Sequence, residues 1–175
     1  MSDLIREALS SDGYIIDQDK TYKIFYGPFR SSYNGCGWIA AYNYLKATHR
    51  PHNAVALARE LATTSPYNAR MGTGPLRLRR FLEAKGCRFA TAATRQAAAG
   101  LAPTSAAGIL FYTNAANGPH FVCYVRQPSG RLRFFNALPG NAHHITTMVE
   151  FLRQEAPHNP IYLMAAAEGP TKETP

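Results

Sequence analysis

Three cysteines are an odd number, and Cys36, Cys87 and Cys123 show none of the close spacings that zinc sites and disulfide scaffolds use. A disulfide-stapled or metal-stapled class is therefore excluded, and a reducing compartment is expected. No apolar run reaches membrane-spanning length. The opening "MSDLIREALSSDGYIID" carries acidic residues and lacks an apolar stretch with a small-residue cleavage site, so it does not read as a secretory signal. The expectation is a cytoplasmic protein with no membrane partner; delivery elsewhere would need a route that leaves no mark in the sequence. Repeats and linkers are missing as well. Residues 1–168 are expected to form a single domain, and the polar, proline-containing "GPTKETP" (169–175) a disordered tail.

Acidic residues are also scarce, 11 Asp and Glu against 19 Lys and Arg, which leaves a net charge of +8 over 175 residues. That balance suits an acidic partner such as nucleic acid or an anionic surface. The cations are scattered, however, apart from "PLRLRRFLEAKGCR" with Arg77, Arg79, Arg80, Lys85 and Arg88. On a helix, residues 77, 80 and 88 share one side and Leu78, Phe81 and Leu82 form the apolar one. This reads as a solvated helix face. Nucleic acid is not the expected partner, because no interleaved aromatics or binding motif accompany it. The length suffices to bury a core without staples, and a monomer is expected.

The coarse pattern runs from helices to strands. "YIIDQDKTYKIFYGPF" (14–29), closed by Gly27-Pro28, predicts a hairpin or an extended arm. Trp38, Ala41, Tyr42 and Leu45 recur at helical spacing, and His49-Arg50-Pro51 ends that helix. A second helix is predicted in "PHNAVALARELATT", with Pro51 or Asn53 near its start. A third is predicted in "TGPLRLRRFLEAKG", with Thr73 as its cap, Pro75 in its first turn and Gly86 as its stop. Short strands follow: "CRFATA", "GILFYTN", "HFVCYVRQ" and "RLRFFNAL", the last two joined by a "PSG" hairpin turn. "TRQAAAGLAP" reads as a short helix, "ITTMVEFLRQEA" as another and "IYLMAAAE" as a final strand. Helices first and a mainly antiparallel sheet second is the α+β arrangement.

Within "SSYNGCGWIAAYNYLKA" a thiol lies between two glycines where a polar loop becomes a helix. Unpaired N–H groups and the positive end of the helix dipole favour an anion there, so Cys36 at a helix start loses its proton more easily. The flanking glycines are expected to permit a tight turn and close approach of a substrate backbone. His120 follows a Gly-Pro loop at the first position of a strand, where its side chain can project from the sheet edge for proton transfer. With the hairpin turn at residues 128–130, positions 121 to 123 face 135 to 137, which makes Asn136 a neighbour of His120. Its amide oxygen is expected to accept the imidazole N–H and fix the tautomer. Taken singly, each residue has a plain structural explanation: a small buried cysteine, a solvated strand-end histidine, a turn asparagine. Together, their order agrees with one nucleophilic mechanism. Cys87 and Cys123 read as apolar strand residues, and the remaining histidines form no ligand pattern.

The order of these residues resembles the papain-like cysteine peptidase superfamily. The pattern is most similar to its compact bacterial branch, the peptidases that remove double-glycine leader peptides from bacteriocins. The resemblance rests on "NGCGWIAAYNYL", on "GPHFVCYV" and on "FFNALPG", and spans about residues 30 to 140. It implies a papain-like fold, with the catalytic cysteine at a helix N-terminus and N-terminal helices packed on a C-terminal antiparallel sheet. It also implies a Cys36–His120–Asn136 triad that cleaves a peptide or isopeptide bond through an acyl-enzyme, with no metal or organic cofactor and with a peptide or protein as substrate. Two departures stand out. The branch usually carries Asp where this chain has Asn136, and a glutamine oxyanion donor shortly before the cysteine, where this chain has "RSSYNG". Asn34 is the nearest amide, and Gln18 or a hydroxyl of Ser32 or Tyr33 is the alternative. An acyl transferase built on the same residues, and a papain-fold binding module without catalysis, are the rival readings.

Overall fold

The computed structural model describes residues 3–114, 118–137, 144–156 and 158–167. An N-terminal arm opens with a 3-10 segment, Asp3–Ala8, and doubles back through an isolated Leu9–Ile15 bridge. A short hairpin follows, β1 (Phe25–Tyr26) and β2 (Phe29–Arg30), which turns at Gly27-Pro28. Helices α1 (Ser31–Asn34), α2 (Cys36–Ala47), α3 (Ala54–Thr64) and α4 (Pro75–Ala84) come next. Then come β3 (Phe89–Ala92), α5 (Arg95–Leu101), β4 (Ala107–Asn114), β5 (Gly118–Arg126) and β6 (Leu132–Phe135). The last elements are β7 (His144–Thr146), α6 (Met148–Gln154) and β8 (His158–Ala166).

The α+β expectation holds: six strands form one sheet in the order β3-β8-β4-β5-β6-β7, and every pairing in it is antiparallel. Period-two alternation decides what each face buries. Ile109, Phe121, Cys123 and Met164 meet α2, α3, α4 and the N-terminal arm, with Trp38 and Leu45 fully buried among them. Leu110, Val122, Tyr124 and Leu163 point the other way, where Phe151 and Leu152 of α6 and Ala98 of α5 cover them. The sheet is thus the middle layer of three, and its first face carries the helix that begins with Cys36.

Local chemistry accounts for most helix ends. The Asn53 side chain accepts from the Ala56 N–H and starts α3, a cap worth about 1 kcal/mol. Gly86, at φ +78, stops the chain after α4 in a conformation that costs glycine nothing. Thr73 does not cap α4. Gly74 takes that position, and the Thr73 hydroxyl instead joins Tyr26 and Ser65 in a buried hydroxyl cluster. The hairpin is also smaller than the sequence suggests, since residues 14 to 24 are held irregular by bonds to other elements. The Asn43 amide of α2 both donates to and accepts from the Ile15 backbone, each at 2.8 Å. Ile145 and Thr146, expected to open a helix, instead belong to β7, and α6 starts at Met148 behind a Thr147 capping box that fixes the helix start there. The expected tail lies outside the described residues, as does His143.

Candidate active site

Helix α2 begins at Cys36, and a single residue, Gly35, separates it from α1. Gly35 has an ordinary φ of −83°, so its backbone does not require glycine. Space does: a Cβ there would lie 2.2 Å from Ser31 Oγ and 2.7 Å from Trp38 Nε1. Those two atoms bond each other at 2.7 Å, and Ser31 Oγ donates to the Thr21 hydroxyl at 2.9 Å, since the one Thr21 proton goes to the Gln18 carbonyl. At Gly37 a Cβ would press on Thr73 at 3.2 Å. The glycines that flank the thiol therefore serve internal packing, which corrects the expectation that they make room for a substrate backbone.

His120 is the third residue of β5 and not its first, because the strand already begins at Gly118; it lies beside Tyr112 on β4, whose ring it meets edge-on with centroids 5.8 Å apart. Its Nε2 lies 2.7 Å from the backbone carbonyl of Asn136. A carbonyl can only accept, so Nε2 carries the proton and Nδ1 is left for Cys36. The imidazole hydrogen-bonds the Cys36 thiol. Burial pushes the Cys36 thiol up, but the hydrogen bond and charge of His120 outweigh it. With help from the N–H groups of Phe121 and Gly37, the thiol is held below its ordinary value. Burial likewise pushes His120 down, and its bond to Cys36, with the Asn136 carbonyl, lifts it above the usual imidazole range. Both shifts favour a thiolate facing an imidazolium. Cys87 and Cys123 are buried without such a partner, and burial raises both.

The register brings Asn136 to His120 as expected, with Cys123 opposite Phe135 and Asn136 one residue beyond the strand. The atom that serves differs. The carbonyl, not the amide oxygen, accepts the imidazole proton, because Asn136 adopts a left-handed conformation (φ +60°) that turns its backbone toward the ring. Asparagine is among the few side-chain-bearing residues that adopt this conformation readily. The amide is used elsewhere: Oδ1 accepts from the Gln18 backbone N–H at 3.0 Å, and Nδ2 donates to Gln18 Oε1 at 3.2 Å.

That pairing separates the two amide candidates. The Asn34 amide nitrogen spends itself on two backbone carbonyls, Ala69 at 2.9 Å and Tyr26 at 3.3 Å. Gln18 gives one N–H to the Ser32 carbonyl at 3.0 Å, its other N–H has no partner among the described residues, and its oxygen is fixed by Asn136. Gln18 is further pinned from behind, where its carbonyl accepts from the Thr21 hydroxyl at 2.6 Å.

No protein-family model and no curated protein matches this chain in sequence. The site's chemistry therefore rests on its own residues: one polarised thiol, one oriented imidazole and one amide N–H that is unpartnered among the described residues. Of the basic helix, Arg79 is tied to Glu83 at 2.7 Å and to the Tyr162 hydroxyl at 3.2 Å. Among the described residues no helix is long and apolar enough to cross a membrane.

Proposed function

We propose that the protein is a cysteine peptidase of papain-like architecture, with Cys36 as nucleophile and His120 as its acid and base. The observation that carries this reading is the imidazole of His120 held by the Asn136 carbonyl at 2.7 Å, which leaves Nδ1 for Cys36, together with a thiol that His120 holds below its ordinary value. The thiolate attacks the scissile carbonyl carbon and forms a C–S bond, while the carbonyl oxygen becomes an oxyanion. We assign Gln18 and the Cys36 backbone N–H as its donors; what favours Gln18 over Asn34 is that the Asn34 amide nitrogen is committed to the Ala69 and Tyr26 carbonyls. The imidazolium then gives its proton to the leaving amine as the C–N bond breaks. Water, deprotonated by the now neutral His120, attacks the thioester and releases the acid with the thiolate restored. Asn136 acts through His120 and Gln18, as a positioning residue for both.

The test is site-directed alkylation. Iodoacetamide at mildly acidic pH, followed by mass spectrometry, is expected to label Cys36 alone, and His120→Ala to abolish that selectivity. Equal, sluggish labelling of all three cysteines would remove the basis for the proposal. Selective labelling with no cleavage of any peptide in a diverse library would leave a reactive thiol but not a peptidase.

A further inference from the structure

Several of the large apolar side chains left in water lie on three segments that touch one another. Phe25 (56% exposed) and Phe29 come from the β1–β2 hairpin, Tyr33 (77%) from α1, and Tyr67 (84%) and Met71 (88%) from the loop that joins α3 to α4. Phe29 meets Tyr33 with ring centroids 5.4 Å apart. A Cβ on Gly27 would lie 1.9 Å from the Asn68 carbonyl, so the hairpin turn rests on the loop, and the Asn34 bond to the Ala69 carbonyl ties α1 to the same loop. That loop is held at a conformational cost. Tyr67, Asn68 and Ala69 are left-handed in succession, at φ +51°, +52° and +58°, which asparagine tolerates and tyrosine and alanine resist. Ala69 is buried, but the Tyr67 ring buries almost nothing, so the strain holds out an aromatic side chain that the core does not use.

The charge around these side chains has one sign. From Lys20 to Leu82 the only carboxylate is Glu60, which Lys85 occupies at 2.8 Å. Arg30, Arg59 and Arg70 are exposed and have no ion pair among the described residues. Arg30 lies 4.0 Å over the Phe25 ring, and Arg59 lines the same recess as Phe25, Gly27 and Asn68. Protruding rings and a thioether set among unpaired guanidinium groups match the headgroup layer of a bilayer, where the apolar tips reach the acyl boundary and the cations meet lipid phosphates. Nucleic acid fits less well: Arg30 takes one face of Phe25 and Met71 has no ring, so bases find no stacking platform. We infer that the hairpin, α1 and the loop after α3 form a surface that docks reversibly on an anionic lipid bilayer. Lying on one leaflet requires no spanning helix. The expectation of no membrane partner rests on run length, which is blind to a surface assembled from separate segments. Cys36 follows Tyr33 by three residues, so docking holds the start of α2 close to the membrane. The inference stands apart from the peptidase reading, since docking needs no chemistry at Cys36.

The full chain is sedimented with vesicles of phosphatidylcholine alone and with vesicles that also contain phosphatidylserine. It is expected to bind the anionic vesicles about tenfold or more tightly than the neutral ones and to be released as salt is raised. Arg30→Glu and Met71→Glu, both at exposed positions, are each expected to weaken binding by about tenfold. Arg153→Glu makes the same charge change on α6, across the sheet, and is expected to cost less than about threefold. In Met71→Trp, tryptophan emission should move to shorter wavelength on the anionic vesicles and be quenched by brominated acyl chains, the native Trp38 being buried. Equal binding to both vesicles, or binding to neither, overturns the inference. Equal losses in Arg30→Glu and Arg153→Glu overturn it by reducing the effect to net charge, and emission indifferent to brominated lipid overturns it by showing adsorption without insertion. Tighter binding to single-stranded DNA than to the anionic vesicles, lost in Met71→Glu, overturns it in favour of a nucleic-acid surface. Alkylation of wild-type Cys36 is measured alongside. Selective alkylation without vesicle binding defeats the docking surface alone, and vesicle binding without selective alkylation defeats the peptidase reading alone.

Discussion

Gln18 and Asn136, 118 residues apart, close a ring of two hydrogen bonds, the backbone N–H of one to the amide oxygen of the other and amide to amide in return. Through this ring the loop that carries Gln18, the proposed oxyanion donor, and the turn that orients the imidazole become one unit. A single asparagine thus serves both halves of the proposed chemistry, with its backbone toward His120 and its side chain toward Gln18.

Substitutions at Asn136 should therefore separate backbone from side chain. Asn136→Gly keeps the left-handed turn and the carbonyl, so the Cys36 alkylation rate is expected to stay near wild type while peptide cleavage falls with the freed Gln18. Asn136→Ala adds a strained φ worth about 1–2 kcal/mol and is expected to unfold at lower urea concentration than the glycine variant. If the amide oxygen were the imidazole's acceptor, Asn136→Gly would depress alkylation as strongly as it depresses cleavage.

The two amide candidates are expected to diverge in kinetics. Gln18→Ala removes an oxyanion donor and should lower kcat by on the order of 100-fold or more with Cys36 alkylation preserved. Asn34→Ala frees the Ala69 and Tyr26 carbonyls and should cost about 1–3 kcal/mol of stability instead, read by chemical denaturation.

The pH dependence has a definite sign. The Cys36 thiol lies below its ordinary value because His120 overcomes burial. Alkylation of Cys36 should accordingly proceed at pH values where Cys87 and Cys123, both raised, are silent. In His120→Ala burial is opposed only by the Phe121 and Gly37 N–H groups, so the midpoint for Cys36 should move up from its wild-type position. Peptide cleavage, which needs thiolate and imidazolium together, should rise with pH as Cys36 ionises and fall as His120, itself raised, loses its proton.

Two glycines in helical conformations should respond oppositely to alanine. At Gly35 the added carbon meets Ser31 Oγ at 2.2 Å, an overpacking expected to cost about 1–3 kcal/mol. At Gly100, in α5 with nothing within 4 Å, alanine should stabilise by about 0.5–1 kcal/mol. Urea unfolding of both variants checks the pair.

The antiparallel sheet and its helices were legible because their signals are local. The 3.6-residue period of α2, the Asn53 cap and the turn at residues 128–130 each depend on a few neighbouring residues. The same arithmetic brought His120 beside Asn136, since a hairpin's register follows from its turn. What the residues could not reveal depends on atoms brought together from far along the chain. Which oxygen of Asn136 faces the ring depends on one backbone angle, and the worth of Gln18 depends on a partner 118 positions away. Gly35 is similar: its neighbour Ser31 is close in sequence, but the crowding arises only once Trp38 folds back onto that hydroxyl. The three successive left-handed residues Tyr67, Asn68 and Ala69, none of them glycine, carry no sequence signal at all, and the Ala69 carbonyl is nonetheless where Asn34 is anchored.

Synthesis runs from the N-terminus, so the arm with Gln18 and the helix with Cys36 are made before the strand that bears His120 and the turn that bears Asn136. Until β5 and β6 pair, the thiol has neither the imidazole that lowers it nor the ring that holds Gln18. An unfinished or partly unfolded chain is therefore an ordinary thiol carrier, and the reactive form appears only with the completed sheet. Pairing of β5 with β6 is thus the step that brings the imidazole to the thiol.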